Sequence, residues 1–126
     1  METQIIQWNV RGLLRSLDDV QELLHIHSPK VLCVQETHLK SKHTNFLRSY
    51  IIFRKDRDDA VASSGGVAVI VKQGLACKHL KLQTSLEAVA VRVVLLSKLL
   101  TICSIYIPPH FQLHKHEFQS LIEELP

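Results

Sequence analysis

Apolar and polar positions along this chain follow two periods, and the switches between them mark its elements. Residues 4–10 carry Ile5, Ile6, Trp8 and Val10, β-branched and aromatic side chains that predict a strand. The Arg11-Gly12 pair behind it is a turn signal. Ser16 then opens a helix. Asp19, three residues on, completes a capping box with Asp in place of Glu, and Asp18 and Asp19 complement the positive helix N-terminus. Leu17, Val20, Leu24 and His27 keep helical spacing, which predicts one buried stripe. Pro29 prevents continuation. Val31-Leu32-Cys33-Val34 reads as a short buried strand that runs straight into Gln35-Glu36-Thr37-His38.

Residues 40–49 are polar and basic, anchored by Phe46 and Leu47, and predict a loop with room for one helical turn. Residues 50–53 form a short strand. The charge run at residues 54–59 predicts a solvated loop. Its Asp56, Asp58 and Asp59 lack the glycine and distal glutamate of a calcium-binding EF-hand loop. Ser63-Ser64-Gly65-Gly66 is a second turn. It is not a phosphate-binding loop, because no Gly-Lys-Ser/Thr follows. Residues 67–71 are a continuous apolar strand, Lys72-Gln73-Gly74 turns the chain, and residues 75–82 fit no single pattern.

Residues 87–96 and 99–107 are strong strands, and Ser97-Lys98 between them predicts a hairpin turn, though without glycine or asparagine. Within residues 88–95 only Arg92 interrupts the apolar run, so that strand should be covered on both sides. Pro108-Pro109 ends the strands. Phe118, Leu121, Ile122 and Leu125 space a final helix, with Phe111 and Leu113 packing at its start. Strand, helix, strand, a series of strands, then helix is the order of an α+β layered domain.

Composition narrows the function classes little. The chain has 126 residues, 46% hydrophobic and 21% charged, enough for one modest domain. A net charge of +3 permits an acidic partner, but the basic residues are scattered and form no stripe. Three cysteines, odd in number and far apart, argue against a disulfide framework and for a reducing compartment. Cys33 and Cys103 lie in apolar runs and read as buried inert thiols. No apolar stretch approaches a membrane span and the N-terminus lacks a signal-peptide pattern, so the expectation is an intracellular protein, neither secreted nor in a membrane.

The chemistry concentrates at strand ends. Open α/β-type sheets place ligand sites beyond the C-terminal ends of their strands, where Glu36 stands. A carboxylate carried there by a rigid strand is a good metal ligand, because its position is fixed before the metal arrives. The blander reading, that Glu36 is the first solvated residue after a strand, is slightly favoured by these residues alone. Asn9 has the same two readings: it holds a turn, or its amide faces a polar site. His25 and His27, two apart on a helix, do not share a face. His110, His114 and His116 cluster near the last helix without a nearby cysteine and read as a wet surface group rather than a zinc site.

Taken together, four stretches resemble the successive motifs of the endonuclease/exonuclease/phosphatase superfamily. They are Ile6-Gln7-Trp8-Asn9-Val10-Arg11-Gly12-Leu13, Gln35-Glu36-Thr37-His38-Leu39, Gly65-Gly66-Val67-Ala68-Val69-Ile70-Val71 and Ile105-Tyr106-Ile107-Pro108-Pro109. The spacing is similar to the endonuclease domains of non-LTR retrotransposons of the jockey-like, long-interspersed type. The resemblance implies a four-layer α/β/β/α sandwich of two mostly antiparallel sheets with helices outside. It also implies Mg²⁺- or Mn²⁺-dependent nicking of target DNA before reverse transcription, in the nucleus where the target is chromosomal. By residue, Glu36 matches the metal-binding glutamate, Asn9 the asparagine that supports the site, and Tyr106 the tyrosine that reaches the scissile phosphate. Arg11, Thr37 and His38 are candidates for substrate contact. Asn9, Glu36 and Tyr106 should lie at neighbouring strand ends on one rim of a sheet.

The departures count as well. The family continues with Gly-Asp-Phe-Asn and ends with Ser-Asp-His, and neither occurs here. A family domain has roughly 200–250 residues, within reach of a single layered domain. Residues 1–126 therefore read as its N-terminal part, truncated and inactive as it stands. The alternatives are a non-catalytic interaction or weak DNA-binding fragment, and an exonuclease- or phosphatase-type relative. With the second half missing, the inner face of the strands at residues 67–71, 88–95 and 99–107 should lie partly uncovered and drive aggregation or self-association.

Overall fold

Successive side chains of a strand point to opposite faces, so an all-apolar strand needs a layer on each side. The computed structural model, which describes residues 4–57, 65–109 and 112–126, supplies those layers. Asp58, Asp59, Ser63, Ser64, His110 and Phe111, which enter the expectations for the charged loop, the second turn and the last helix, lie outside the described residues. The elements are β1 (Ile5–Asn9), α1 (Leu17–His27), β2 (Val31–Gln35), β3 (Tyr50–Lys55), β4 (Val67–Lys72), β5 (Cys77–Leu80), β6 (Glu87–Leu95), β7 (Lys98–Tyr106) and α2 (Lys115–Glu124).

The first sheet has the order β1-β2-β4-β3 and the second β5-β6-β7. Only β1 and β2 pair in parallel among these strands, Ile5 opposite Val31 through Asn9 opposite Gln35, with α1 as the crossover. One face of the first sheet, with Leu32, Val34, Ala68 and Ile70, packs on Val20 and Leu24 of α1. Its other face, with Val31, Cys33, Val67, Val69 and Val71, meets Val89, Val91, Val93 and Leu95 of the second sheet. On the outside of the second sheet Leu121 of α2 packs against Leu86 and Ala88, flanked by Cys103 and Ile105. These are the four layers of the expected α/β/β/α sandwich, in an α+β fold.

Several local expectations need correction. Ser16 does not close a capping box: its hydroxyl donates to the Val10 carbonyl at 3.2 Å, tying the helix entry to the end of β1. His27 is exposed, so the buried stripe of α1 is Val20 and Leu24. In place of a helical turn, residues 40–43 form a hydrogen-bonded turn in which His43 N donates to Lys40 O at 2.9 Å. The ambiguous stretch contains β5, an edge strand. Of the spaced apolar positions on α2 only Leu121 is buried, while Phe118 and Ile122 stay exposed, because the surface under the helix is small.

The largest correction concerns the inner face. The two sheets close on each other within this chain and bury the inner side chains of β4 and β6, while on the inner face of β7 Leu100 stays exposed and Ile102 and Tyr106 are half-buried, so the face is open only along that edge. Further bare positions lie at the periphery. Ile5, at the edge strand β1, is 48% exposed, and beyond α2 the hairpin end of the second sheet leaves Val94 and Leu99 exposed. The double cover expected for residues 88–95 thus fails at Val94, and β7 begins with three exposed residues.

Two backbone features carry measurable stability. In the β6–β7 hairpin Leu95 pairs with Lys98, so the turn residues are Leu96 and Ser97, one position earlier than the sequence pattern places them. Both have positive φ, 50° and 61°, the signature of a type I′ turn that favours Asn-Gly. At the start of β4, Gly66 has φ +89° and a Cβ there would lie 2.5 Å from Thr37 Oγ1. The double substitution Leu96→Asn/Ser97→Gly should stabilise the fold by about 1 kcal/mol and raise Tm by a few degrees. Gly66→Ala should cost at least about 1 kcal/mol through strain and collision. Denaturant unfolding followed by circular dichroism reads both; a neutral Gly66→Ala would contradict the close approach.

Candidate active site

β2 delivers Gln35 to the rim of the first sheet, and the chain then leaves regular strand geometry. Continued alternation would put Glu36 on the α1 side with Leu32 and Val34. Instead Glu36 has φ 53° and His38 φ 54°, left-handed conformations that are uncommon outside glycine. Flanking backbone holds this segment on both sides. Gly12 N donates to Glu36 O at 2.7 Å and Leu13 N to Thr37 O at 2.8 Å, while Thr37 N and His38 N donate to Gly66 O and Gly65 O at 3.2 and 2.9 Å. Strained residues held by such a frame are concentrated at functional sites.

The frame aims the Glu36 carboxylate across the rim. Asn9, the last residue of β1, donates from Nδ2 to Glu36 Oε1 at 3.0 Å, and its Oδ1 accepts from Arg11 N at 3.3 Å. Asn9 therefore holds a turn and faces the polar site at once. From the second sheet, Tyr106, the last residue of β7, brings its hydroxyl near the same carboxylate, close enough for the two to interact electrostatically. His38 Nε2 lies 3.7 Å from Glu36 Oε2. Asn9, Glu36 and Tyr106, from three strand ends and both sheets, thus meet at one rim.

Electrostatics follow from these contacts. The Asn9 amide, above all, holds the Glu36 carboxyl below the ordinary carboxylate range; the Tyr106 hydroxyl, His38 and Arg11 act in the same direction, against partial desolvation. Burial pushes the Tyr106 phenol up, and the nearby Glu36 carboxylate pushes it further, with Arg57 opposing. At neutral pH the site therefore presents a carboxylate and a protonated phenol that can donate.

Thr37 departs from its expected role. It is 1% exposed, beneath Gly66, and its Oγ1 accepts from Leu39 N at 3.5 Å, so it braces the loop and offers no hydroxyl to substrate. Arg11 is exposed beside the carboxylate. Sequence reasoning missed Glu87, which accepts from Gly66 N at 2.8 Å and pairs with Arg57, pinning the glycine turn to the second sheet. A charged residue opening an otherwise apolar strand was the available signal. Buried Gln35 and Ser104 were missed as well. Among the described residues no three His, Cys, Asp or Glu side chains converge on a metal position, so Glu36 is a single carboxylate ligand candidate.

Known proteins share this arrangement of elements. The chain is 26% identical over 126 residues to a probable RNA-directed DNA polymerase from transposon X-element of Drosophila melanogaster, covering 98% of this chain and 14% of that protein. It is 28% identical over 120 residues to the RNA-directed DNA polymerase from mobile element jockey of the same organism, covering 94% of this chain and 13% of that one. Among solved structures, the endonuclease domain of TRAS1, a telomere-specific non-LTR retrotransposon, superposes with a TM-score of 0.69 at 15% identity, over 97% of this chain and 51% of that one. An AP endonuclease from Leishmania major superposes with a TM-score of 0.64 at 17% identity, over 84% of this chain and 40% of that one. The chain spans about half of the TRAS1 domain and about one-seventh of the X-element protein. With residues 6–124 matching its pattern, the chain belongs to the Endonuclease/Exonuclease/phosphatase family.

Proposed function

We propose that this chain supplies the metal-binding side of a DNA-nicking site that serves retrotransposition, with Glu36 as ligand to a divalent cation, Mg²⁺ or Mn²⁺. The observation that carries the reading is the Glu36 carboxylate held by the Asn9 amide at the strand-end rim, with Tyr106 of the other sheet near it. The donor set fits a hard cation: Mg²⁺ keeps several waters and is commonly bound by one or two carboxylates plus substrate phosphate. When bound, the cation would neutralise charge on the phosphate. Asn9 orients the carboxylate and keeps it ionised. Tyr106 is placed to donate a hydrogen bond to a phosphate oxygen as charge develops there. Arg11, exposed beside the carboxylate, and His38 are the groups at the rim for contact with the DNA backbone. If the target is chromosomal DNA, the protein would act in the nucleus.

A second reading, DNA binding without cleavage by these residues alone, is favoured by the lack, among the described residues, of any group of three His, Cys, Asp or Glu side chains placed to hold a metal ion. Hydrolysis sites need several converging groups, and Asp-Phe-Asn and Ser-Asp-His stretches are not in this sequence. Purified residues 1–126 should therefore show no Mg²⁺-dependent nicking of supercoiled DNA above background. Nicking that disappears in Glu36→Ala would show that these residues suffice.

Mn²⁺ titration of the same chain tests the ligand directly. Binding should be lost in Glu36→Gln and weakened about tenfold in Asn9→Ala, as for other removed orienting groups. Equal Mn²⁺ affinity in the parent and Glu36→Gln would overturn the assignment. The pH dependence has a definite sign. Because the folded-state pKa of Glu36 is lowered, its ionised form and the stability linked to it persist above the ordinary Glu value of about 4.3 and are lost as pH falls through the lower folded value. Affinity for Mn²⁺ should accordingly hold down to about pH 4.3 and decline below it.

A further inference from the structure

The gap between the sheets is apolar until its last layer before the rim. There the inner face of β2 ends in Gln35, after Val31 and Cys33, and the inner face of β7 carries Ser104 between Ile102 and Tyr106. Gln35 is 8% exposed and Ser104 1%. Gln35 Nε2 donates to Ser104 Oγ at 3.0 Å, and Ser104 Oγ donates to the Val34 carbonyl at 3.0 Å. Gln7 Nε2 donates to Gln35 Oε1, so a chain of hydrogen bonds runs from β1 through β2 to β7.

We propose that Gln35 and Ser104 are positioning residues: their hydrogen bond sets the spacing between the ends of β2 and β7 and so holds the Tyr106 hydroxyl near the Glu36 carboxylate. Gln35 directly precedes Glu36, and Ser104 shares its face of β7 with Tyr106 two residues on. A buried amide–hydroxyl pair gives less stability than a well-packed apolar pair, and polar groups kept in a core are best attested as devices that fix register. The physical reason is range. A hydrogen bond tolerates only a few tenths of an ångström and a limited angle, whereas valine-on-valine contact allows the sheets to slide. Ser104 also grips both a side chain and the backbone of β2, which fixes it along the strand as well as across the gap.

The significance for phosphate chemistry rests on the proposed function, but the clamp is measured without metal or DNA. A double-mutant cycle of Glu36→Gln and Tyr106→Phe, read from denaturant unfolding, gives their coupling in the parent chain. The cycle is repeated in Gln35→Leu/Ser104→Ala, which removes both partners and strands neither. The coupling, a fold-change in the unfolding constant, should be present in the parent and fall towards one in this background. Tyr106 ring signals in NMR spectra should move towards those of Glu36→Gln. Ser104→Thr, which keeps the hydroxyl, should retain both. Full coupling in the double variant, or loss of coupling in Ser104→Thr, overturns the clamp. Should the double variant not fold, Gln35→Met, which keeps length and removes the amide, takes its place with the same two outcomes. A failed cycle leaves the metal assignment standing, and a failed Mn²⁺ titration leaves the clamp standing.

Discussion

The rim depends on the burial of one five-residue strand. Every residue of β2 is buried, with α1 on one face and the second sheet on the other, and β1 and β4 hydrogen-bonded at its edges. A strand confined in all four directions cannot shift register, since a slip of one residue would drive Leu32 and Val34 to the face that holds Val31 and Cys33. The carboxylate one residue beyond it inherits that fixity. The backbone of residues 36–38, bonded on one side to residues 12–13 and on the other to Gly65 and Gly66, extends the same confinement past the point where strand geometry stops.

That division explains what could be read in the sequence. Continuous apolar runs at residues 31–34 and 67–71 announce buried strands because burial on both faces leaves no room for polar residues. The helix of residues 17–27 is as plain, since Pro29 and the acidic first turn bound it. Asn9, Glu36 and Tyr106 could be singled out because each stands at the end of such a run, and a rigid strand makes its last residue predictable in space. What could not be read depends on contacts between segments far apart. The Ser16 hydroxyl has a local helix to cap and is taken by Val10 O instead. Which of the neighbours Glu36 and Thr37 is buried and which faces the site follows from the left-handed turn at residues 36–38 and the backbone bonds that hold it, neither of which has a local signal. Leu96-Ser97 adopts a turn that its side chains disfavour, so the hairpin is displaced by one residue from its sequence signal.

Family membership and local geometry support each other without being the same argument. The family match covers residues 6–124, and the likeness to the TRAS1 endonuclease domain at 15% identity concerns the fold. The chemistry is carried instead by one carboxylate, held ionised by an amide at the end of a neighbouring strand, with a phenol from the opposite sheet nearby. Glu87 gives the glycine turn a comparable role. By accepting from Gly66 N it joins the loop that frames Glu36 to the strand that pairs with β7, so the two sheets are tied at the rim by backbone as well as by side chains.

The parallel pairing of β1 and β2 has a consequence for the order in which the chain assembles. Asn9 and Glu36 are 27 residues apart, joined by a single crossover helix, whereas the Gln35–Ser104 contact spans 69 residues. Closing a longer loop costs more entropy, and distant contacts form late. On a ribosome, which releases the N-terminal residues first, the amide and the carboxylate can meet while the last strand is still being synthesised. Tyr106 joins an existing pair, so errors in the second sheet would spare the Asn9–Glu36 contact and show themselves first as a missing phenol.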